Sequence, residues 1–112
     1  MCGLLNLVFD RCSVPEEIRH MLMFVDEATY YSWSVGLRVM SLQQHDTAIK
    51  YTRLYRVLTE YFGDDDEISR WLFSENNAPV FDGRSPIARV LDEGELLLDE
   101  ALEALELASQ QS

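Results

Sequence analysis

Histidine, cysteine and carboxylate side chains are the residue types that could do chemistry here, and their spacing argues against catalysis. His20 and His45 are the two histidines. Neither has sequence neighbours that would build a catalytic triad or a metal site, so both read as surface residues. Asp64-Asp65-Asp66-Glu67 and Asp92-Glu93 supply carboxylates, but the alternating ligands and central glycine of a calcium loop are missing. They read as acids at helix starts, where the dipole favours them. Cys2 and Cys12 lack metal-ligand spacing and read as reduced thiols of a cytoplasmic protein. There is no glycine-rich phosphate loop and no Gly-x-Ser-x-Gly elbow. The expectation is a non-enzyme that uses no cofactor and no metal.

Recognition is the better-supported chemistry. Pro15-Glu16-Glu17-Ile18-Arg19-His20-Met21-Leu22 and Ala28-Thr29-Tyr30-Tyr31-Ser32-Trp33 predict two short helices, with a tight turn near Phe24-Val25-Asp26 and a stop at Gly36. Such a pair suits a helix-turn-helix, whose second helix enters the major groove. Candidate DNA contacts are Thr29, Tyr30 and Ser32, with Arg38 and Lys50 as flanking cations and Arg19 and Arg53 as further members of the ring. The competing reading is a plain helical corner with Tyr31 and Trp33 in the core. Asp26 and Glu27 sit at the end that would face phosphate, and the second helix has no lysine or arginine.

Charge divides the 112 residues into unlike halves. Twenty acidic residues oppose nine basic ones, for a net charge of −11. This excludes a protein that coats nucleic acid by bulk electrostatics. Residues 1–62 carry six basic and seven acidic residues, while residues 63–112 keep Arg70, Arg84 and Arg89 against thirteen acids. The acidic half is suited either to a basic partner surface or simply to solubility. The hydrophobic share of 47% is that of a folded domain rather than a disordered tail. No apolar run is long enough for a membrane span, and the N-terminal residues lack a secretory leader.

The elements that must position these residues are helical throughout, giving an all-α fold class. Leu4, Leu5, Val8 and Phe9 make a first apolar face. Ser13 and Pro15 predict the start of a second helix, with Ile18, Met21, Leu22 and Val25 as its stripe. Asp26 is expected to cap a third, over residues 27–35. Residues 41–45 read as a linker, and Asp46 as the cap of a longer helix ending near 62, with Tyr51, Leu54, Leu58 and Tyr61 inward and Lys50, Arg53 and Arg56 on another face. Gly63 ends it, and Ile68, Trp71 and Leu72 mark the next. Residues 74–84 form a loop, and Ser85-Pro86 opens a short helix ending near Gly94. The last helix, residues 95–108, buries Leu98, Ala101, Leu102 and Leu105. Its other face shows Glu95, Asp99, Glu103 and Glu106, with no cation among them.

One segment carries a more specific pattern. Tyr61-Phe62-Gly63-Asp64, Arg70-Trp71-Leu72-Phe73, Asn76-Asn77-Ala78-Pro79 and Gly83-Arg84-Ser85-Pro86-Ile87 follow one another in order. This segment resembles the C-terminal toxin-binding domain of Xre/ParS/MbcA-type antitoxins. The half before it resembles the Xre-like helix-turn-helix that usually precedes that domain. The chain is accordingly divided into residues 1–62, a helix-turn-helix region, and residues 63–112, a toxin-binding domain.

The resemblance implies a type II antitoxin that binds a RES-domain toxin, an enzyme consuming NAD or transferring ADP-ribose, and covers its active-site entrance. The bound pair would also repress its own promoter. Carried onto this chain, Trp71, Gly83, Arg84, Ser85 and Pro86 shape toxin binding, with the final helix and its tail reaching the toxin. Trp71 also reads as core and Ser85-Pro86 as a helix start, which leaves Arg84 as the contact with directional bonding capacity. Charge reversal at Arg84 or truncation after Gly94 is then expected to abolish neutralisation. Expected partners are the toxin and operator DNA, with no membrane, as a homodimer or a hetero-oligomer with the toxin. A stand-alone DNA-binding regulator is the alternative, and an acidic decoy of a nucleic-acid-binding protein a third reading. The recognition helix departs from the family in lacking its usual basic residue.

Overall fold

The computed structural model describes residues 2–111. The described residues form seven helices: α1 (Cys2–Arg11), α2 (Glu16–Leu22), α3 (Glu27–Ser34), α4 (Leu42–Phe62), α5 (Asp65–Phe73), α6 (Pro86–Glu93) and α7 (Glu95–Gln111). No strand interrupts them, so the all-α expectation holds.

The 21-residue α4 is the spine, with α7, α1 and α5 packed against it. The pairs α2–α3, α5–α6 and α6–α7 complete the shell, and α2 reaches across to α6. A single apolar cluster runs through both halves, from Leu5, Val8 and Phe9 of α1 through Tyr51 and Leu58 of α4 to Ile68, Val90 and Leu98. Leu5, Leu22, Leu58, Ile68 and Leu98 are fully enclosed, each stabilising the fold by about 1.5–3 kcal/mol relative to an exposed side chain.

Helix ends follow local chemistry where capping residues are unambiguous. The Asp26 carboxylate accepts from the Thr29 N–H at 2.7 Å and opens α3. Asp64 does the same for α5 and Ser85 for α6, with Pro86 in the first turn. Gly63 closes α4 at φ +68, the left-handed conformation that a glycine adopts without strain.

Other boundaries depart from the sequence reading. Ser13 does not cap α2; it lies in the turn after α1 at φ +58, and Pro15 takes the N-cap position. The helix α2 ends at Leu22, leaving Val25 outside it. The start of α4 is Ser41, not Asp46, because Ser41 and Gln44 form a reciprocal capping box that satisfies two backbone donors one turn earlier. Residues 42–45 are therefore helix rather than linker. Leu4, Met21 and Tyr61, expected inward, are exposed, as is Tyr31. The last helix continues past 108 to Gln111.

Candidate functional site

The α2–α3 unit is locked by polar contacts that consume much of its candidate DNA chemistry. Tyr30 donates its hydroxyl to Asn6 Oδ1 at 2.5 Å, tying α3 to α1, and burial drives that phenol's pKa upward. Ser32 is buried and donates to the Thr29 carbonyl at 2.6 Å. Thr29 is half-buried, and its hydroxyl and backbone N–H hydrogen-bond Asp26, holding that carboxyl below the usual range. Arg19 turns inward, its guanidinium donating to the Val14 carbonyl at 2.8 and 3.1 Å and to Asp10 at 2.7 Å. Of the cations expected to ring α3, Arg38 is the exposed one, close enough to help lower the pKa of Asp26.

Lys50 is turned toward α7. Its ammonium lies 2.7 Å from both Glu95 and Asp99, and the buried Thr47 hydroxyl donates to the same Glu95 at 2.9 Å. Burial works against the charged lysine, but the bonds to Asp99 and Glu95 outweigh it and its pKa ends above the ordinary value. One turn further along, Arg53 bonds the carboxylate of Glu106. The acidic face of α7 therefore finds cations within the same chain, on the face of α4 that the sequence marks as basic. Glu100 and Glu103 stay exposed with no ion-pair partner among the described residues.

The residues expected to shape toxin binding form a loop-to-helix joint. The Asn76 N–H donates to the Arg84 carbonyl at 3.2 Å, and the Gly83 N–H returns a bond to the Asn76 carbonyl at 2.9 Å. This clasp puts Gly83 at φ +81, where a side chain would be strained although space is available. Ser85 caps α6 and Pro86 is buried. Arg84, half-exposed, pairs with Asp92 across α6.

Trp71 stands edge-on to the buried Phe81 at 5.4 Å and near Phe62 at 6.3 Å. Together with Leu58, Tyr61, Ala104 and Leu105 these rings line an apolar cleft of about 310 Å³ between α4, the 74–84 loop and α7. The structure thus brings Gly83, Arg84, Ser85 and Pro86 together at one joint and places Trp71 on the adjoining cleft. It does not gather Thr29, Tyr30, Ser32, Arg38 and Lys50 into one open face.

Sequence reasoning missed Arg19 as a buried tether and missed the α4–α7 ion pairs. The available signal was the Lys50, Arg53, Arg56 face itself, whose spacing matches an acidic helix as well as it matches phosphate. Among the described residues no group of three or more His, Cys, Asp or Glu is placed to hold a metal, and no helix is long and apolar enough to cross a membrane.

Residues 57–106 match the family model of the antitoxin Xre/MbcA/ParS C-terminal toxin-binding domain. The match runs from the last turns of α4 through α5, the loop, α6 and most of α7, and includes Trp71 and the Gly83–Pro86 joint. No curated protein and no solved structure matches the chain. Residues 57–106 therefore carry the toxin-binding domain of Xre/MbcA/ParS-type antitoxins.

Proposed function

We propose that this chain is the antitoxin of a toxin–antitoxin system, that it binds a RES-type toxin, one that consumes NAD or transfers ADP-ribose, and that it neutralises the toxin by covering the entrance to its active site. The observation that carries this reading is the position of α7. Most of it, including Glu100 and Glu103, lies within the matched domain; it is held on the body of the molecule by Lys50 and Arg53 and still offers those two carboxylates to solvent. An acidic face on a fixed helix suits a basic rim, where complementary charge speeds association and selects the partner. No catalytic group is needed for such a role. Arg84, tied to Asp92, supports the joint and offers its exposed half to the toxin.

The experiment is co-expression with a RES-domain toxin, reading growth and cellular NAD. Protection by the wild-type chain, lost on Glu100→Lys/Glu103→Lys, supports the reading; unchanged NAD loss beside a well-expressed wild-type chain overturns it. Truncation after Gly94 is a poor probe, because it removes Leu97, Leu98, Ala101 and Leu102 from the core.

The same reading includes repression of the antitoxin's own promoter through α2–α3, in the cytoplasm, by a homodimer or a toxin-bound oligomer. With Ser32 buried and Tyr30 and Lys50 engaged, DNA contact falls to Arg38 and to the edge of Thr29. A mobility shift with promoter DNA, with and without toxin, tests this, and no shift in either lane rejects it.

A further inference from the structure

Four aromatic rings stand in a row across the toxin-binding domain. The ring centres of Tyr61 and Phe62, Phe62 and Trp71, and Trp71 and Phe81 are 6.4, 6.3 and 5.4 Å apart, and the last pair meets edge to face at 86°. They wall the cleft of about 310 Å³, whose lining runs from Leu58 to Leu105 and so lies wholly within residues 57–106. On the α7 side the sequence changes character. Leu97, Leu98 and Leu102 are buried in the core, but the cleft is lined by Ala101 and Ala104, one turn apart. A larger side chain at 104 would occupy the space that alanine leaves open. Water held there finds few partners. Asn76 Oδ1 already accepts from the Ala78 N–H at 2.9 Å, and the other lining side chains are alkyl or aromatic apart from the Tyr61 hydroxyl. Poorly held water is released favourably when an apolar group replaces it.

We propose that this cleft receives an aromatic side chain of the toxin, carried on a segment with lysine or arginine beside it. The inference rests on the toxin-binding reading above, but not on the RES class of the toxin. Ring chemistry and charge choose the occupant. The edges and faces of the aromatic wall suit a further ring, which packs against them offset or edge-on. A large aromatic side chain seated in such a pocket carries a major share of an interface's energy. The surroundings ask for a cation. Residues 57–106 hold fourteen acids against Arg70, Arg84 and Arg89. Glu100 lies one turn before Ala104 on the same face of α7, and Glu75 directly precedes Asn76. Both are exposed, and neither has an ion-pair partner among the described residues. A second copy of the chain, nucleic acid or anionic lipid would bring negative charge to this mouth and be repelled. A cationic flank is attracted there, and the seated ring then sets how long the complex lasts.

Two experiments test it. The first needs no toxin: amide NMR spectra of the full-length chain, titrated at low salt with tryptophan amide, a ring with one positive charge, and with N-acetyl-tryptophan, the same ring with a negative one. Tryptophan amide at about millimolar concentration is expected to shift the amides of Val80, Ala104 and Leu105, and N-acetyl-tryptophan to bind about fivefold more weakly. Ala104→Leu keeps a strong helix former in α7. It is expected to retain the helical circular dichroism and to lose those shifts. The second experiment measures binding to a RES-domain toxin. Ala104→Leu is expected to dissociate about thirtyfold faster than the wild type, with its association rate unchanged. No shift at the cleft, shifts that survive Ala104→Leu, or equal binding of the two probes overturns the proposal. So does a toxin complex that lasts as long with Ala104→Leu as with the wild type. Probe binding at the cleft by a chain that no RES-domain toxin recognises supports the cleft and overturns the RES reading alone.

Discussion

Lys50 Nζ lies 2.7 Å from Glu95 Oε2, although forty-five residues separate the two in sequence. This contact joins the spine of the fold to the first turn of its last helix, and Asp99 shares the same ammonium. With Arg53 and Glu106 it makes a short ladder along α4 and α7. Two cations that the sequence offers as flanking DNA contacts, Lys50 and Arg53, neutralise part of an acidic helix.

Removing Lys50 therefore acts on stability. Lys50→Met leaves Glu95 and Asp99 facing each other one turn apart without their cation. The lysine side chain is 21% exposed and Asp99 nearly half, so solvent screens the pair and the expected loss is about 1–2 kcal/mol. Urea unfolding checks this. Glu95→Gln combined with Lys50→Met should cost less than the sum of the single changes, and strict additivity would show that the two residues do not couple.

Arg19 is a second tether, closer in sequence to its partners and more enclosed. Its guanidinium is spent on the Val14 carbonyl and on Asp10, and it lies over the Phe9 ring at 5.8 Å. Arg19→Ala is expected to lose about 2–4 kcal/mol, because the Val14 carbonyl is left without its donors and packing against Phe9 is lost. Arg19→Lys is expected to recover little, since a single ammonium cannot reproduce the forked geometry. Thermal melts of both variants test this, and a fully stable Arg19→Lys would assign the effect to charge alone.

These two side chains also show where the sequence stops being readable. Asp26, Gly63, Ser85-Pro86 and Gly94 lie at the boundaries expected of them, because a cap is decided by residues three or four positions away. The α4 start differs from the expected Asp46 for the same local reason, since Ser41 with Gln44 competes with Asp46 and wins by satisfying two donors at once. The pattern of residues 61–87 was legible as a toxin-binding domain because it combines specific side chains in a fixed order. Lys50 and Arg19 were not legible in their roles. Their partners are chosen by how α4 meets α7 and how α1 meets α2, and periodicity says nothing about which cation is turned inward.

The two thiols are expected to behave very differently. Cys12 is buried, and burial, with a smaller push from the Asp65 charge, raises its pKa to about 12; Cys2 is half-buried at the start of α1. Native protein with a thiol reagent at mildly alkaline pH should show one fast site, Cys2, and one that reacts only as the fold opens. Equal rates at both sites would contradict the burial of Cys12.

The same residue sets an alkaline limit on stability. A thiol whose folded pKa lies above its unfolded value keeps its proton in the native state after the unfolded chain has lost it. Its contribution is complete below the unfolded value near pH 8.5–9 and falls as pH rises toward about 12. Over that window each such group removes about 1.4 kcal/mol per pH unit. Tyr51, enclosed and donating to the Leu22 carbonyl, is shifted in the same direction by burial and adds to the loss at higher pH. Urea midpoints from neutral to strongly alkaline pH should decline from about pH 9, and Cys12→Ala should flatten the early part of that decline. A wild-type curve level to pH 11 would contradict the assignment.

Association with the toxin gives a prediction that separates steering from contact. Glu100 and Glu103 are exposed and spend no charge on α4, so their field is available to an approaching partner. If they act by steering, Glu100→Gln/Glu103→Gln lowers the association rate at low ionic strength and leaves the dissociation rate nearly unchanged. Steering by a few charges accounts for about a tenfold change. The difference from wild type should then fade as salt is raised past physiological strength, where the screening length is about 8 Å. Stopped-flow or surface-based kinetics with the toxin resolves the two rates. A slower association that persists in high salt, or a faster dissociation, would place these carboxylates inside the bound interface rather than on its rim.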